Sequence, residues 1–124
     1  MEPTQIILNS HTRYQDDRLE VDFHFQAASV DGQRLKLTRK EFELLAALVE
    51  SAGQVVHRNV LLMRVWGYSD QIRTRTLDVH IRRLRIKLGA EKHRCLETIF
   101  SIGYRYQPFR KPAESNSPAL ALTA

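Results

Sequence analysis

Residues 73–88 read RTRTLDVHIRRLRIKL. At about 100° per residue, Leu77, Ile81, Leu84 and Leu88 fall on one narrow stripe with no polar residue inside it. Arg75, Val79, Arg82, Arg83 and Ile86 lie opposite, with Asp78 and Arg85 on one flank and Thr76, His80 and Lys87 on the other. The spacing predicts a helix with one buried edge and one cationic edge. Six Lys/Arg against a single acid, Asp78, leave a surplus of five, equal to the formal charge of the whole chain, +5. The positive field is therefore local to one element, the footprint of a polyanion-binding helix. The bland alternative is a solvated face. Against it, a water-facing helix normally mixes signs at i, i+4 spacing. It also gains nothing from Val79 and Ile86, which base edges and thymine methyls could use.

A chain of 124 residues with 43% hydrophobic and 27% charged residues is that of one ordinary globular domain. A single cysteine, Cys95, rules out an internal disulfide and fits a reducing compartment. No run approaches 18 apolar residues, and MEPTQIILNS lacks the basic start and cleavage site of a signal peptide. The expectation is a cytoplasmic protein.

Upstream of the basic helix, residues 5–38 read as short strands. Ile6-Ile7-Leu8 is a brief apolar run, and 9–18 a polar loop. Leu19, Val21, Phe23 and Phe25 alternate with polar residues as in a half-buried strand. Asp31-Gly32, between Ser29-Val30 and Leu35-Lys36-Leu37, is a hairpin signal because both turn positions need positive φ. Thr38 and Glu41 have capping-box spacing and open a first helix that buries Phe42, Leu45, Leu48 and Val49. Gly53 follows its last turn, and Gln54-Val55-Val56 is an extended link. A second helix over about 58–66 turns Leu61, Leu62 and Val65 inward and ends at Gly67; a loop, 67–73, leads to the basic helix.

Downstream of it, Leu96–Ile99 and Tyr104–Tyr106 flank Phe100-Ser101-Ile102-Gly103 as a hairpin. Residues 108–124 hold three of the four prolines with no period and read as a disordered tail. The expected fold is α+β, a winged helix-turn-helix. It comprises a small N-terminal antiparallel sheet (about 5–38), a three-helix core (about 39–88) and a C-terminal β-hairpin wing (about 95–107), making one domain over 1–107. Its basic helix fits a major groove, and its hairpin can reach the next minor groove.

From Leu37 to Gln107 the chain resembles the OmpR/PhoB-type output domain of bacterial two-component response regulators. The matching motifs are LTRKEFELLAALVESAGQVV (37–56), LLMRVWG (61–67), RTLDVHIRRLRIKL (75–88) and ETIFSIGYRY (97–106). The resemblance implies a DNA-binding transcription regulator, not an enzyme, with 75–88 as recognition helix. Arg83 and Val79 match base-contacting positions. Trp66, Arg75, Thr76, His80, Arg82, Arg85, Thr98 and Tyr104 match phosphate-contacting ones. The loop with Tyr68, Ser69, Asp70, Gln71 and Ile72 matches the segment through which relatives touch RNA polymerase. Such proteins pair head to tail on direct repeats of double-stranded DNA, with half-sites about one helical turn apart. Full-length members carry an N-terminal receiver domain, so the chain is expected to be either an excised output domain or a stand-alone protein. Three positions depart from the pattern. Phe100 and Ser101 stand where arginine and glycine form the wing tip, which removes the minor-groove arginine; Phe100 could wedge against sugars, pack on a neighbouring protomer or cover the core, with core or edge packing favoured over intercalation. His57 replaces a better helix cap, and Ile86 replaces a commonly basic residue.

Other functions find less support. The histidines are scattered without ligand spacing, so no metal is expected. No cofactor is expected either, for lack of a glycine-rich phosphate loop, and no nucleophile has a partner pattern. Double-stranded RNA is disfavoured because its major groove is too narrow for a helix. The competing reading is a winged-helix module that binds protein instead of DNA.

Overall fold

The computed structural model describes residues 12–69, 74–89 and 92–110, without the side chains of Lys92 and His93. Ile6-Ile7-Leu8 and most of the expected tail lie outside them. Four short strands form an antiparallel meander: β1 (Arg13–Gln15), β2 (Leu19–Asp22), β3 (Ala27–Val30) and β4 (Gln33–Arg34). The segment 9–18, expected to be a loop, thus contributes β1, paired in register Tyr14↔Val21 with β2. Its side chains are largely exposed, as on an edge, so no hydrophobic alternation marks it. Conversely, β2 stops before Phe23 and Phe25. The Asp22 carboxylate accepts the amides of His24 (3.0 Å) and Phe25 (2.9 Å) and turns the chain, leaving Phe25 exposed. Asp31 (φ 53°) and Gly32 (φ 83°) form the expected two-residue hairpin turn. β4 ends at Arg34, earlier than the expected Leu35–Leu37 strand, with a last ladder bond from Leu35 N to Ala28 O (2.8 Å).

Helix α1 (Arg39–Glu50) starts with both halves of the Thr38–Glu41 capping box. After it, β5 (Val55–His57) is a strand, not merely a link, because the wing strand Gly103–Tyr106 supplies its partner: Val56 lies opposite Tyr104. α2 (Arg58–Leu61) continues into a wider π-helical stretch, Leu62–Trp66. Lys40 Nζ donates to the Val65 carbonyl there (2.7 Å), giving a partner to a backbone group in the irregular turn. His57 makes no side-chain cap; the Arg58 amide donates instead to Ile102 O of the wing (3.0 Å). α3 spans Thr76–Leu88, with Arg75 as the residue before its first turn. After a short 3₁₀ turn (Lys92–Cys95) come β6 (Leu96–Ile99) and β7 (Gly103–Tyr106), which complete a sheet of order β5-β7-β6.

One core joins the helices to both sheets. Leu77, Ile81, Leu84 and Leu88 are buried as the periodicity predicts, against Leu44, Leu45 and Leu48 of α1, Leu61 and Val65, Leu19 and Val21 of β2, and Leu96 and Tyr106 of the wing. Beyond the last strand Phe109 packs on the core, its ring 6.4 Å from that of Tyr106. Cys95 is buried, and burial pushes its thiol up to about 12, so it is protonated and inert.

Candidate nucleic-acid interface

The rotation of α3 is fixed by polar contacts on both flanks. On one, Lys87 Nζ lies 2.6 Å from Glu41 Oε1, and Glu41, 1% exposed, also accepts the Thr38 amide (2.9 Å). Burial alone would raise the Glu41 pKa, but the Lys87 ammonium and the Thr38 amide outweigh it and hold the carboxyl below its ordinary range. On the other flank, Arg58 bonds Asp78 (2.8 Å), and the Tyr104 hydroxyl donates to the same carboxylate oxygen. These donors outweigh desolvation and keep Asp78 ionised below the usual carboxylate range. Arg85 crosses to the wing, donating twice to Leu96 O (3.1 and 2.7 Å) and once to Thr98 Oγ1 (2.8 Å).

Between these flanks the helix turns outward. Arg75, Arg82 and Arg83 are exposed, and Val79 is 41% exposed. Arg82 and Arg83 have no hydrogen bond or ion pair among the described residues. Two of the cations counted in the sequence are therefore committed elsewhere, Lys87 to Glu41 and Arg85 to the wing, while Asp78 is neutralised from outside the helix by Arg58. Arg73 lies outside the described residues.

The start of α3 is organised by threonines: Thr74 Oγ1 accepts the Thr76 amide (3.1 Å) and lies 2.8 Å from Thr76 Oγ1. His80 Nδ1 donates to Thr76 O (2.9 Å), since a carbonyl can only accept; its Nε2 carries no proton when the ring is neutral. The Trp66 ring meets the His80 ring edge to face at 4.9 Å. Trp66, Arg75, Thr76, Val79, His80, Arg82 and Arg83 thus belong to one end or face of α3, and Thr98 joins them through Arg85. Tyr104 is buried, and its hydroxyl donates to Asp78. Phe100, expected against the core or an edge, is instead 88% exposed in the turn closed by the bond from Ile102 N to Ile99 O. Of the expected polymerase-contact loop, Tyr68 is half-buried and Ser69 exposed; Asp70, Gln71 and Ile72 lie outside the described residues.

Sequence reasoning missed the Glu41–Lys87 and Asp78–Arg58–Tyr104 contacts. One signal was available: Asp78 is the sole acid in a basic helix, and a lone opposite charge asks for a partner.

The family described as "Transcriptional regulatory protein, C terminal" matches residues 32–106. The chain belongs to this family. Response regulator ArlR of Staphylococcus saprophyticus is 44% identical over 77 residues, covering 61% of this chain and 35% of ArlR. The uncharacterized transcriptional regulatory protein YclJ of Bacillus subtilis is 49% identical over 70 residues, 56% of this chain and 31% of YclJ. The chain therefore spans about a third of the length of these relatives. Among solved structures, the DNA-binding domain of CpxR from E. coli superposes with a TM-score of 0.70 at 35% identity, covering 77% of this chain and 96% of that one. The RstA DNA-binding domain of Klebsiella pneumoniae, in complex with the RstA box, gives 0.72 at 29% identity, covering 80% and 100%. The winged helix-turn-helix fold and the response-regulator output class follow, a class of DNA-binding transcription regulators and not of enzymes. Among the described residues no helix is long and apolar enough to cross a membrane.

Proposed function

We propose that this chain reads double-stranded DNA with α3 in the major groove and the wing near the adjacent minor groove, as the output module of a cytoplasmic two-component regulator. One observation carries the reading: α3 gives its leucine–isoleucine stripe to the core and leaves Arg82 and Arg83 beside Val79 without described partners. Arg83 suits a bidentate bond to guanine O6 and N7, and Val79 a thymine methyl. Arg75, Thr76 and Arg82 hold phosphates, with the Trp66 indole N–H beside them. His80, stacked edge to face on Trp66, completes this set. Thr98 accepts from Arg85 and still has its own hydroxyl proton for a phosphate. Tyr104 serves by positioning Asp78. Head-to-tail pairing on direct repeats, contact of the 67–73 loop with RNA polymerase, and control by a receiver domain in a longer chain complete the proposal.

The test is titration of fluorescent duplex DNA at several salt concentrations. About five phosphate contacts give a log–log slope near −4 to −5. Arg83→Ala weakens binding to a selected site by about 1–3 kcal/mol and to random DNA far less; equal losses would reduce Arg83 to a phosphate anchor. A flat response with no binding at low salt would favour a protein-binding module.

A further inference from the structure

Between β6 and β7 the wing turns through Phe100, Ser101 and Ile102. Phe100 is 88% and Ile102 41% exposed, and no residue from Ile99 to Gly103 carries a charge. The tip is firmly built. Ile102 N donates to Ile99 O (2.9 Å), and Ser101 sits at φ 66°, a conformation that a side chain disfavours. Behind it, Arg58 N donates to Ile102 O (3.0 Å). Gly103 approaches β5 so closely that an added Cβ would lie 2.0 Å from Val56 O. At the other end of the hairpin, Arg85 fastens β6 to α3. The phenyl ring is thus carried at a fixed offset from the exposed arginines, where the free domain gives it nothing to bury against.

We infer that Phe100 is a specificity-determining residue of the duplex-binding site: an apolar wedge that seats in the minor groove beside the α3 contact and reads how readily a base step unstacks. This rests on the duplex-binding reading above. Phosphates attract cations and offer nothing to an uncharged tip. On a duplex beside a helix-filled major groove, the surface that fits an exposed phenyl ring is the minor-groove floor and its sugars, where apolar side chains wedge between base steps. Pyrimidine–purine steps unstack most easily. The bound site therefore carries a TA or CA/TG step at a fixed distance from the bases read by Val79 and Arg83, with Ile102 as a second apolar shoulder against the sugars.

Selection from a random duplex pool, followed by titration with wild type and Phe100→Ala, tests this. The wild type enriches the flexible step. Phe100→Ala loses that enrichment and binds the selected site about tenfold more weakly. It keeps the α3-read bases, the salt slope and, because the ring is exposed, the melting temperature. A 2-aminopurine placed at the step brightens on binding wild type and not Phe100→Ala. Unchanged affinity and base preference in Phe100→Ala would overturn the wedge while leaving duplex binding intact. So would a loss confined to paired binding on a repeat with single half-site binding untouched, since the ring would then meet a second copy. Failure of the wild type to bind any duplex at low salt would sink the duplex reading itself, and the wedge with it.

Discussion

Asp16 accepts the hydroxyl of Tyr106, and Asp78 that of Tyr104, two residues away on the same strand. Around Asp16 every hydrogen-bond donor is neutral: the hydroxyls of Tyr106 and Tyr14, each at 2.6 Å, and the amides of Arg18 (3.0 Å) and Leu19 (2.8 Å). Around Asp78 the main partner is the Arg58 guanidinium, and both of those side chains are open to water. Dense neutral donors between a sheet and the core act as a latch for the fold. A solvated ion pair contributes little to stability, but its direction fixes which way a helix faces. One strand therefore serves folding at one tyrosine and the orientation of the interface at the other.

Both tyrosines depend on Gly103, where β7 passes β5. Gly103→Ala forces a Cβ into the Val56 carbonyl and shifts both tyrosines, so we expect a loss of at least about 3 kcal/mol in denaturant unfolding. A near-wild-type midpoint would mean that β7 can move freely. Next comes Asp16→Ala, which strands two tyrosine hydroxyls and two amides; stability should fall by about 2–4 kcal/mol while the DNA affinity of the folded fraction stays unchanged. Asp78→Ala should do the reverse. We expect a change of at most about 1 kcal/mol in unfolding but a loss of roughly tenfold in affinity for a selected duplex; unaltered affinity would refute the orienting role.

The smallest effect is in acid. The Asp16 carboxyl lies below its ordinary range because the tyrosine hydroxyls and loop amides outweigh burial, and Asp78 lies below for its arginine and tyrosine. A lowered native pKa means that the unfolded chain binds protons first, so this stability is complete above the unfolded value of about 3.9 and drains away as pH falls below it. Asp16→Asn and Asp78→Asn should each flatten the acid limb of a stability–pH curve. An unchanged slope in either variant would deny that carboxylate its native hydrogen bonds.

What could be read beforehand follows from how far apart the interacting residues stand. The α3 stripe, the Thr38–Glu41 box and the Asp31-Gly32 turn each rest on residues within a few positions, where period and turn chemistry suffice. β1 escaped notice because an edge strand takes its order from its neighbour and needs no apolar pattern. Lys87 reads in the sequence only as one of six cations, on the flank with Thr76 and His80, because its partner, Glu41, lies 46 residues away. Glu41 itself was legible only as half of a cap, although it does both jobs. The candidate interface was legible as a list of outward residues, and Arg82, Arg83 and Val79 are exposed as expected. Which of the remaining polar groups have spare donors depends on the wing, and that depends on tertiary contacts.

The bond between Asp16 and Tyr106 spans 90 residues. A ribosome must therefore deliver nearly the whole domain before the first sheet can be clasped, and Asp78 acquires its tyrosine at the same late moment. Translation itself thus imposes an order of events: a half-made chain has its arginines but not yet the frame that aims them.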